Sequence, residues 1–251
     1  MPRPRTAPTK TRDAGASRAR VFAAAAEEFA ARGFDGAKVD RIAERADVNK
    51  AMLYYHFTNK AALYRAVVGD MFASTAVAMR QLREKGGAPE AQLAGFIEVV
   101  VREGRARPHF PAMWLRELAD GGRHLDERNF GDIFGIVSTL AAILRDGETA
   151  GRFRPMPPFL VQMGIVGPLF MFLATTPMRA RLRTKMPAGL PEVSPEVLVE
   201  YVKAMTAGAL RARRAGSVRR PETARGARNA GRAKYAERAG NLGRKGSAGQ
   251  R

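Results

Sequence analysis

The window at residues 37–63, AKVDRIAERADVNKAMLYYHFTNKAAL, constrains the fold of this chain more than any other segment. Apolar residues recur at helical spacing over 38–46. A turn at Asp47 separates them from a second short helix that Asn49 can cap, and another helix begins near Lys60. Two short helices joined by a tight turn are how a helix-turn-helix protein presents one helix to the major groove of DNA.

The rest of the chain predicts an all-α fold. We find no convincing alternation of period two and no internal repeat, and segments rich in Gly and Pro separate the helical patterns. Ser17 is a possible N-cap for the first helix, and Gly33 is a natural stop for it. The predicted helices cover residues 18–32, 38–46, 50–55, 60–83, 90–105, 110–120, 126–150, 158–175 and 195–213.

The distribution of charge distinguishes the two ends of the chain from its middle. Residues 1–20 hold six basic residues and one Asp, and 211–251 hold thirteen basic residues and two Glu, so the two ends carry most of the net charge of +19. These ends have too few large apolar residues to offset the entropy of ordering. We predict a disordered basic arm at 1–17, a DNA-binding domain at 18–68, a helical regulatory and dimerisation domain at 69–213, and a disordered basic tail at 214–251.

Residues 155–178 contain no charged side chain, which is long enough to raise the question of a membrane span. Several Pro and Gly residues interrupt the stretch, so we favour a buried or interface helix and expect no membrane partner. The chain has no cysteine and residues 1–20 have no apolar run. We therefore expect a cytoplasmic protein without a secretory signal.

The second short helix of the window supplies side chains suited to reading DNA. A small residue at Ala51 allows close approach, and Met52 offers an apolar contact for a thymine methyl. Each polar candidate has a plainer alternative: Tyr55 can pack, His56 can be a partly buried histidine, and Lys60 can be solvated. The residues predicted to bind DNA are Lys38, Arg41, Asn49, Lys50, Ala51, Met52, Tyr54, Tyr55, His56 and Lys60. Leu53 and Phe57 are predicted to be core residues.

Residues 18–68 resemble the DNA-binding domain of the TetR family of transcriptional regulators. The matching runs are VFAAAAEEF, RGF and VDRIAERADVNKAMLYYHFTNKAAL, of which LYYHF with TNK is the most specific. The resemblance implies a three-helix helix-turn-helix domain, a larger helical C-terminal domain, homodimerisation and release of DNA when a small ligand binds. It also implies that Tyr54, His56 and Lys60 contact phosphates, and that Lys50, Ala51, Met52 and Tyr55 lie near the bases.

The chain departs from the family pattern at three places. Ala37 and Lys38 stand where Thr or Ser commonly caps the second helix. Asp47 occupies the position of the usual turn glycine, and we expect the turn to survive because Asp tolerates left-handed backbone better than most residues. Asn49 replaces the commoner Ser and is an equivalent cap.

The resemblance places a ligand pocket among the C-terminal helices and the dimer interface on the helices at 158–175 and 195–213. The candidate pocket residues are Phe96, Phe110, Met113, Trp114, Phe130 and Phe134. We prefer the alternative that these side chains simply fill the core, because apolar helical stripes usually pack. The polar residues Arg116, Glu117 and His124 lie near them in sequence.

The function predicted from the sequence is that of a sequence-specific regulator, with double-stranded DNA, a second copy of the chain and an unknown small-molecule effector as partners. The regulator is expected to act as a repressor on a palindromic operator. The alternative is a nonspecific architectural binder of nucleic acid driven by the basic ends. An enzyme is not expected, because the three histidines at 56, 109 and 124 form no catalytic set, and we predict no cofactor or metal site.

Overall fold

The computed structural model describes residues 10–183, 185 and 193–211. Within these residues the chain is helical, and the one pairing of strand type is an isolated bridge between Phe153 and Arg211. The all-α prediction is therefore confirmed. The described helices are α1 (Lys10–Gly36), α2 (Val39–Arg45), α3 (Lys50–His56), α4 (Lys60–Lys85), α5 (Pro89–Ala106), α6 (Phe110–Ala119), α7 (Glu127–Thr149), α8 (Pro158–Ala174), α9 (Thr176–Arg183) and α10 (Pro195–Leu210).

The first helix corrects the predicted N-terminal boundary. Residues 10–17, assigned to a disordered arm, are the first two turns of α1, while residues 1–9 lie outside the described residues. Ser17 is therefore inside the helix rather than its N-cap, and its side chain is buried. The predicted stop is confirmed, because Gly33 has φ of 70°, which breaks the regular helix there.

The longest helices build the core. α4 packs along α7 and α5, and α1 packs on α2, α4 and α6. One apolar cluster includes Phe29 of α1, Leu53 of α3, Met79 of α4 and Leu140 of α7, so the predicted DNA-binding and regulatory parts share a continuous core. α4 runs unbroken through the predicted boundary at residue 68. It therefore connects α1–α3 and the first turns of α4, called the head below, to the helices that follow, called the body.

The C-terminal part adds one helix that the sequence patterns did not predict. α9 follows α8 after a single turn residue, Thr175. Within the described residues no single helix is long and apolar enough to cross a membrane, and α8 with α9 passes that test only as a pair bent by 52°. The predicted tail at 214–251 lies outside the described residues.

Candidate DNA-binding interface

The turn before α3 sets the direction of that helix. Asp47 has φ of 51° and is the one non-glycine residue with positive φ among the described residues. The Val48 N–H donates to the Ala43 carbonyl at 3.1 Å, which closes the turn. Asp at the usual glycine position therefore adopts the left-handed conformation that the sequence analysis expected.

Asn49 caps α3 as predicted. Its Oδ1 accepts a hydrogen bond from the Met52 N–H at 2.7 Å, which satisfies one of the free donors of the first turn. Asn59 does the same for α4 by accepting from the Ala62 N–H at 2.8 Å. Both helix starts are thus defined by side chains that the sequence already offers, and α3 needs this support because it has only seven residues.

Two apolar residues hold α3 against the rest of the head. Leu53 is fully buried, and Phe57 directly after the helix is buried beneath the guanidinium of Arg18, 5.1 Å from its ring centroid. The prediction that both are core residues is confirmed. Because α3 is pinned on this side, its opposite side faces solvent in a fixed orientation.

The outward side of α3 carries the predicted base-reading residues. Met52 and Tyr54 are partly exposed, and Tyr55 is 77% exposed. Ala51, Met52 and Tyr55 also line an open groove, together with Ser17 and Arg20 of α1. The groove has a volume of about 740 Å³. Contiguous exposed apolar side chains mark interaction sites, so the arrangement favours an interface.

The predicted cations have different surroundings. The ammonium of Lys50 lies 2.7 Å from the Asp40 carboxylate, which raises the pKa of Lys50 by a hydrogen bond and by charge. Arg41 lies 3.4 Å from the buried carboxylate of Glu28, so part of its guanidinium is occupied within the head. Lys38 is exposed at the N-cap of α2, and its ammonium makes no ion pair with the described residues.

Lys60 and His56 are both held by contacts inside the head. The Lys60 ammonium donates to the Asp35 carbonyl at 3.3 Å and lies 4.7 Å from the centroid of Phe34. It keeps two further N–H groups, since an ammonium has three. His56 is half-buried, with Nε2 2.8 Å from the Ser17 hydroxyl. This contact corresponds to the plainer alternative of a partly buried structural histidine.

Ser17 and Arg20 are residues of this surface that sequence reasoning missed. Arg20 donates from Nε to the Ala46 carbonyl at 3.0 Å, so it braces the end of α2 while it borders the groove. Their spacing of three residues places them on one helical face, and that spacing was the available signal. The spacing did not stand out because Ser17 is predicted to be an N-cap at the end of the arm rather than a residue inside the helix.

The sequence of this chain matches known regulators. Residues 21–67 match the family model of bacterial regulatory proteins, tetR family. The chain is 31% identical over 179 residues to the uncharacterized HTH-type transcriptional regulator YdeS of Bacillus subtilis, a match that spans 66% of this chain and 82% of that protein. The chain belongs to the TetR family. It is also 27% identical over 154 residues to the HTH-type transcriptional regulator RutR of Escherichia coli K12, covering 61% of this chain and 72% of RutR.

The fold is that of solved TetR-family structures. The fatty acid degradation regulator FadR of Bacillus halodurans superposes with a TM-score of 0.60 at 19% identity, over 78% of this chain and 97% of FadR. At this identity the likeness shows the fold alone. Together with the relatives, the family assignment makes this chain a DNA-binding transcriptional regulator.

Two of the residues predicted to line a ligand pocket in the larger helical part of this TetR-family chain lie at the surface. Phe130 and Phe134 are 42% and 67% exposed, so the prediction of an interior position is wrong for both. α7 turns Asn129, Ile136 and Leu140 inward, and the two phenylalanines lie on another face of the helix.

The other four predicted pocket residues follow the core alternative. Phe96, Phe110 and Met113 are buried and Trp114 is partly buried. Phe110 and Trp114 stack 6.2 Å apart, and Phe72 meets both rings edge-on. Phe110 and Met113 do border a cavity of about 200 Å³, but its other walls are residues of α1, α4 and the turn before α6.

A buried polar cluster joins the two parts of the molecule. Glu117 of α6 is fully buried, and its carboxylate accepts from the Tyr64 hydroxyl and from the His124 backbone N–H, both at 2.9 Å. His124 Nδ1 lies 2.9 Å from the same carboxylate. Burial and the hydrogen bond to Glu117 raise the pKa of Tyr64 well above its ordinary value. Glu117 and His124, polar residues near the predicted pocket, therefore connect α4 with α6.

Arg116 makes a second connection, from α6 to α1. Its Nη1 donates to the carbonyl oxygens of Phe29 and Ala30 near the end of α1. These are among the last carbonyls of the helix before the Gly33 break, and such groups lack partners within the helix. α6 therefore holds the DNA-binding head through both a side-chain cluster and a helix terminus.

Replacing Asn49 with alanine is expected to lower the free energy of unfolding by about 1 kcal/mol, because the cap of α3 is lost. Urea denaturation measures this change. Asn59→Ala removes the equivalent cap of α4 and is the matched control, with a similar loss of stability. Operator binding should fall further for Asn49→Ala, since α3 frays at its DNA-facing end. Wild-type stability in Asn49→Ala would show that the cap is unimportant.

Proposed function

We propose that this chain is a repressor that binds a palindromic operator as a homodimer and leaves it when a small molecule binds. α3 would enter the major groove of each half-site with Ala51, Met52 and Tyr55 toward the bases. The observation that carries this proposal is the exposure of these side chains on a helix whose opposite face is fixed by Leu53 and Phe57. α3 is thus both accessible and rigid, as base reading requires.

The contacts to the DNA backbone would come from groups at both ends of this helix. Tyr54 is 41% exposed, Lys60 keeps two N–H groups free, and Lys38 is exposed at the start of α2. Lys50 can exchange its exposed pairing with Asp40 for a phosphate, because surface ion pairs contribute little stability. Asn49, Arg41 and His56 would act mainly by holding the interface in shape.

The homodimer would form through α8 and α10. These helices pack together and expose apolar residues along regular stripes. On α10 the stripe is Val197, Tyr201 and Met205 at intervals of four residues. On α8 Phe159 and Met163 are four residues apart, and Met171 follows eight residues later on the same side. Exposed apolar patches of this kind mark interaction surfaces, and a two-fold axis lets one patch bury its own copy.

Ligand control is supported by the fold and by the connections between head and body. FadR of Bacillus subtilis, which has a TM-score of 0.59 to this chain at 17% identity over 76% of this chain and 98% of FadR, was solved in complex with stearoyl-CoA. In this chain, Glu117 and Arg116 of α6 contact α4 and α1 directly. Movement of the regulatory helices would therefore shift the DNA-binding heads.

Two substitutions separate base reading from backbone contact. Met52→Ala should change the preferred operator sequence, because it removes an apolar contact to a base. Lys60→Ala should weaken binding to all sequences and reduce the salt dependence, the slope of log K against log salt, by about one unit. Fluorescence anisotropy at several salt concentrations measures both effects.

Lys85→Ala is the matched control, since Lys85 lies at the far end of α4 and should leave affinity, preference and slope unchanged. An unaltered slope in Lys60→Ala would contradict its phosphate role. An unaltered preference in Met52→Ala would contradict base contact by that side chain.

The alternative, a nonspecific binder driven by the basic ends, makes a different prediction. Removal of residues 214–251, which are strongly basic, would abolish binding altogether if those charges supplied it. We expect the shortened chain to bind more weakly at low salt and to keep its sequence preference.

A further inference from the structure

A cavity lies where the DNA-binding head meets the regulatory helices. It has a volume of about 410 Å³ and is bordered by α1, α4 and the start of α7. This volume falls within the range of about 300–1,000 Å³ that small-molecule sites occupy. None of the residues predicted for a ligand pocket lines it. Because α1 belongs to the head and α7 to the body, a molecule bound here would touch both.

Asn129 forms a polar part of the cavity wall, and its side-chain oxygen lacks a hydrogen bond from the described residues. The residue is 3% exposed, and its Oδ1 is buried without a hydrogen-bond partner. A buried polar atom of this kind costs free energy unless something binds to it. Gly69 of α4 faces the same side chain, and a Cβ there would lie only 2.5 Å from Asn129 Nδ2. The backbone of α4 thus leaves room for the amide, and a ligand N–H or O–H would satisfy Oδ1 once the Asn129 side chain turns toward the cavity.

The charges around the cavity favour an anion. Its two carboxylates are already paired, Asp126 with Arg65 at 3.3 Å and Asp70 with Arg107. Arg128 has no carboxylate partner among the described residues. A guanidinium can bind a carboxylate through two parallel hydrogen bonds in its planar geometry.

Arg18, the other arginine of this wall, connects the cavity to α3. Its guanidinium lies over the ring of Phe57, the residue that ends α3, and makes no ion pair with the described residues. The remaining walls are apolar, with Phe22, Ala62, Ala66 and Ala73 among them. A ligand that attracts Arg18 would weaken its contact with Phe57 and so disturb the support of the DNA-facing helix.

We propose that this cavity binds a small organic carboxylate that also carries an N–H or O–H donor and a short apolar body. The carboxylate pairs with Arg128 and Arg18, and the donor satisfies Asn129. Binding changes how α1 packs on α4 and α7, and operator affinity falls. This proposal rests on the proposed function, because the cavity would be the effector site of that regulator.

The test uses the full chain and a panel of hydroxy- and amino-substituted carboxylates, each paired with its neutral primary amide. 4-Hydroxybenzoate and 4-hydroxybenzamide form one such pair, and benzoate is the analogue without a donor. A rise in Tm on thermal unfolding identifies the compounds that bind, and titration calorimetry measures their Kd. We expect at least one acid to raise Tm while its amide does not, and to lower operator affinity at least fivefold.

Three variants locate the site. Arg128→Gln and Asn129→Leu should each weaken binding of that acid at least tenfold. Arg145→Gln, an exposed arginine further along α7, should leave it unchanged. Asn129→Leu is close to isosteric and removes the unpartnered atom, so its Tm without ligand should equal or exceed that of the wild type. Should this variant fail to fold, the exposed Arg128 provides the decisive comparison.

The proposal is overturned if no acid in the panel raises Tm more than its amide does, or if a binder retains its Kd in Arg128→Gln. Failure of the regulator assignment would look different, because the protein would then show no sequence preference on DNA in the absence of any acid. Selective operator binding with no response to the panel would reject the cavity alone.

Discussion

Replacing Glu117 with alanine is expected to lower the free energy of unfolding by about 3 kcal/mol. The carboxylate is fully buried and accepts from the Tyr64 hydroxyl and the His124 backbone N–H. Removing it leaves these buried donors without partners, each at a cost of about 1–3 kcal/mol. Since a domain is stable by only about 5–15 kcal/mol, the loss should be large in urea denaturation monitored by circular dichroism.

The matched control is Glu84→Ala, because Glu84 is exposed on α4 and makes no ion pair with the described residues. Its stability should change by less than about 0.5 kcal/mol. Glu117→Ala should also weaken operator binding, since Tyr64 of α4 and the loop after α6 lose their common partner. A Glu117→Ala protein as stable as Glu84→Ala would show that the cluster does not join head and body.

An aspartate in place of Tyr201 is expected to convert the proposed dimer to monomers and to lower operator affinity at least a hundredfold. Tyr201 is 60% exposed at the middle of the α10 stripe, so a two-fold interface would bring two copies of the new charge into a dry surface. Burying unpaired like charges costs several kcal/mol. Light scattering after gel filtration measures the mass, and anisotropy measures operator affinity.

Val77→Asp is the control for introducing the same charge in place of an exposed apolar residue. Val77 is exposed on α4, away from the α8 and α10 stripes. This variant should keep the dimer mass and the operator affinity of the wild type. A Tyr201→Asp protein that remained dimeric with full affinity would exclude the α10 stripe as the interface.

Local sequence signals predicted the structure of α3 and its turn well. Asp47 in the turn, Asn49 at the cap, and Leu53 and Phe57 in the core all depend on residues within a dozen positions of one another. Caps, left-handed turn residues and apolar spacing act at this short range. The cap, turn and buried face of α3 can therefore be predicted without knowing its contacts with residues distant in the sequence.

Contacts between distant residues escaped the sequence patterns. Ser17 meets His56, and Glu117 meets Tyr64, across 39 and 53 positions respectively. Nothing in helical spacing reveals which polar residues are buried together. The exposed positions of Phe130 and Phe134 were missed for the same reason, since the face of α7 that packs on α4 is decided by tertiary contacts.

The central claim is that α3 reads base sequence, and selection of bound fragments from a random DNA pool tests it most directly. The wild-type chain should enrich two inverted half-sites, as a symmetric pair of recognition helices requires. A chain with Met52→Ala and Tyr55→Ala should lose that enrichment while retaining weak binding at low salt. Equal recovery of all sequences by the wild type, or the same motif from the double variant, would contradict the claim.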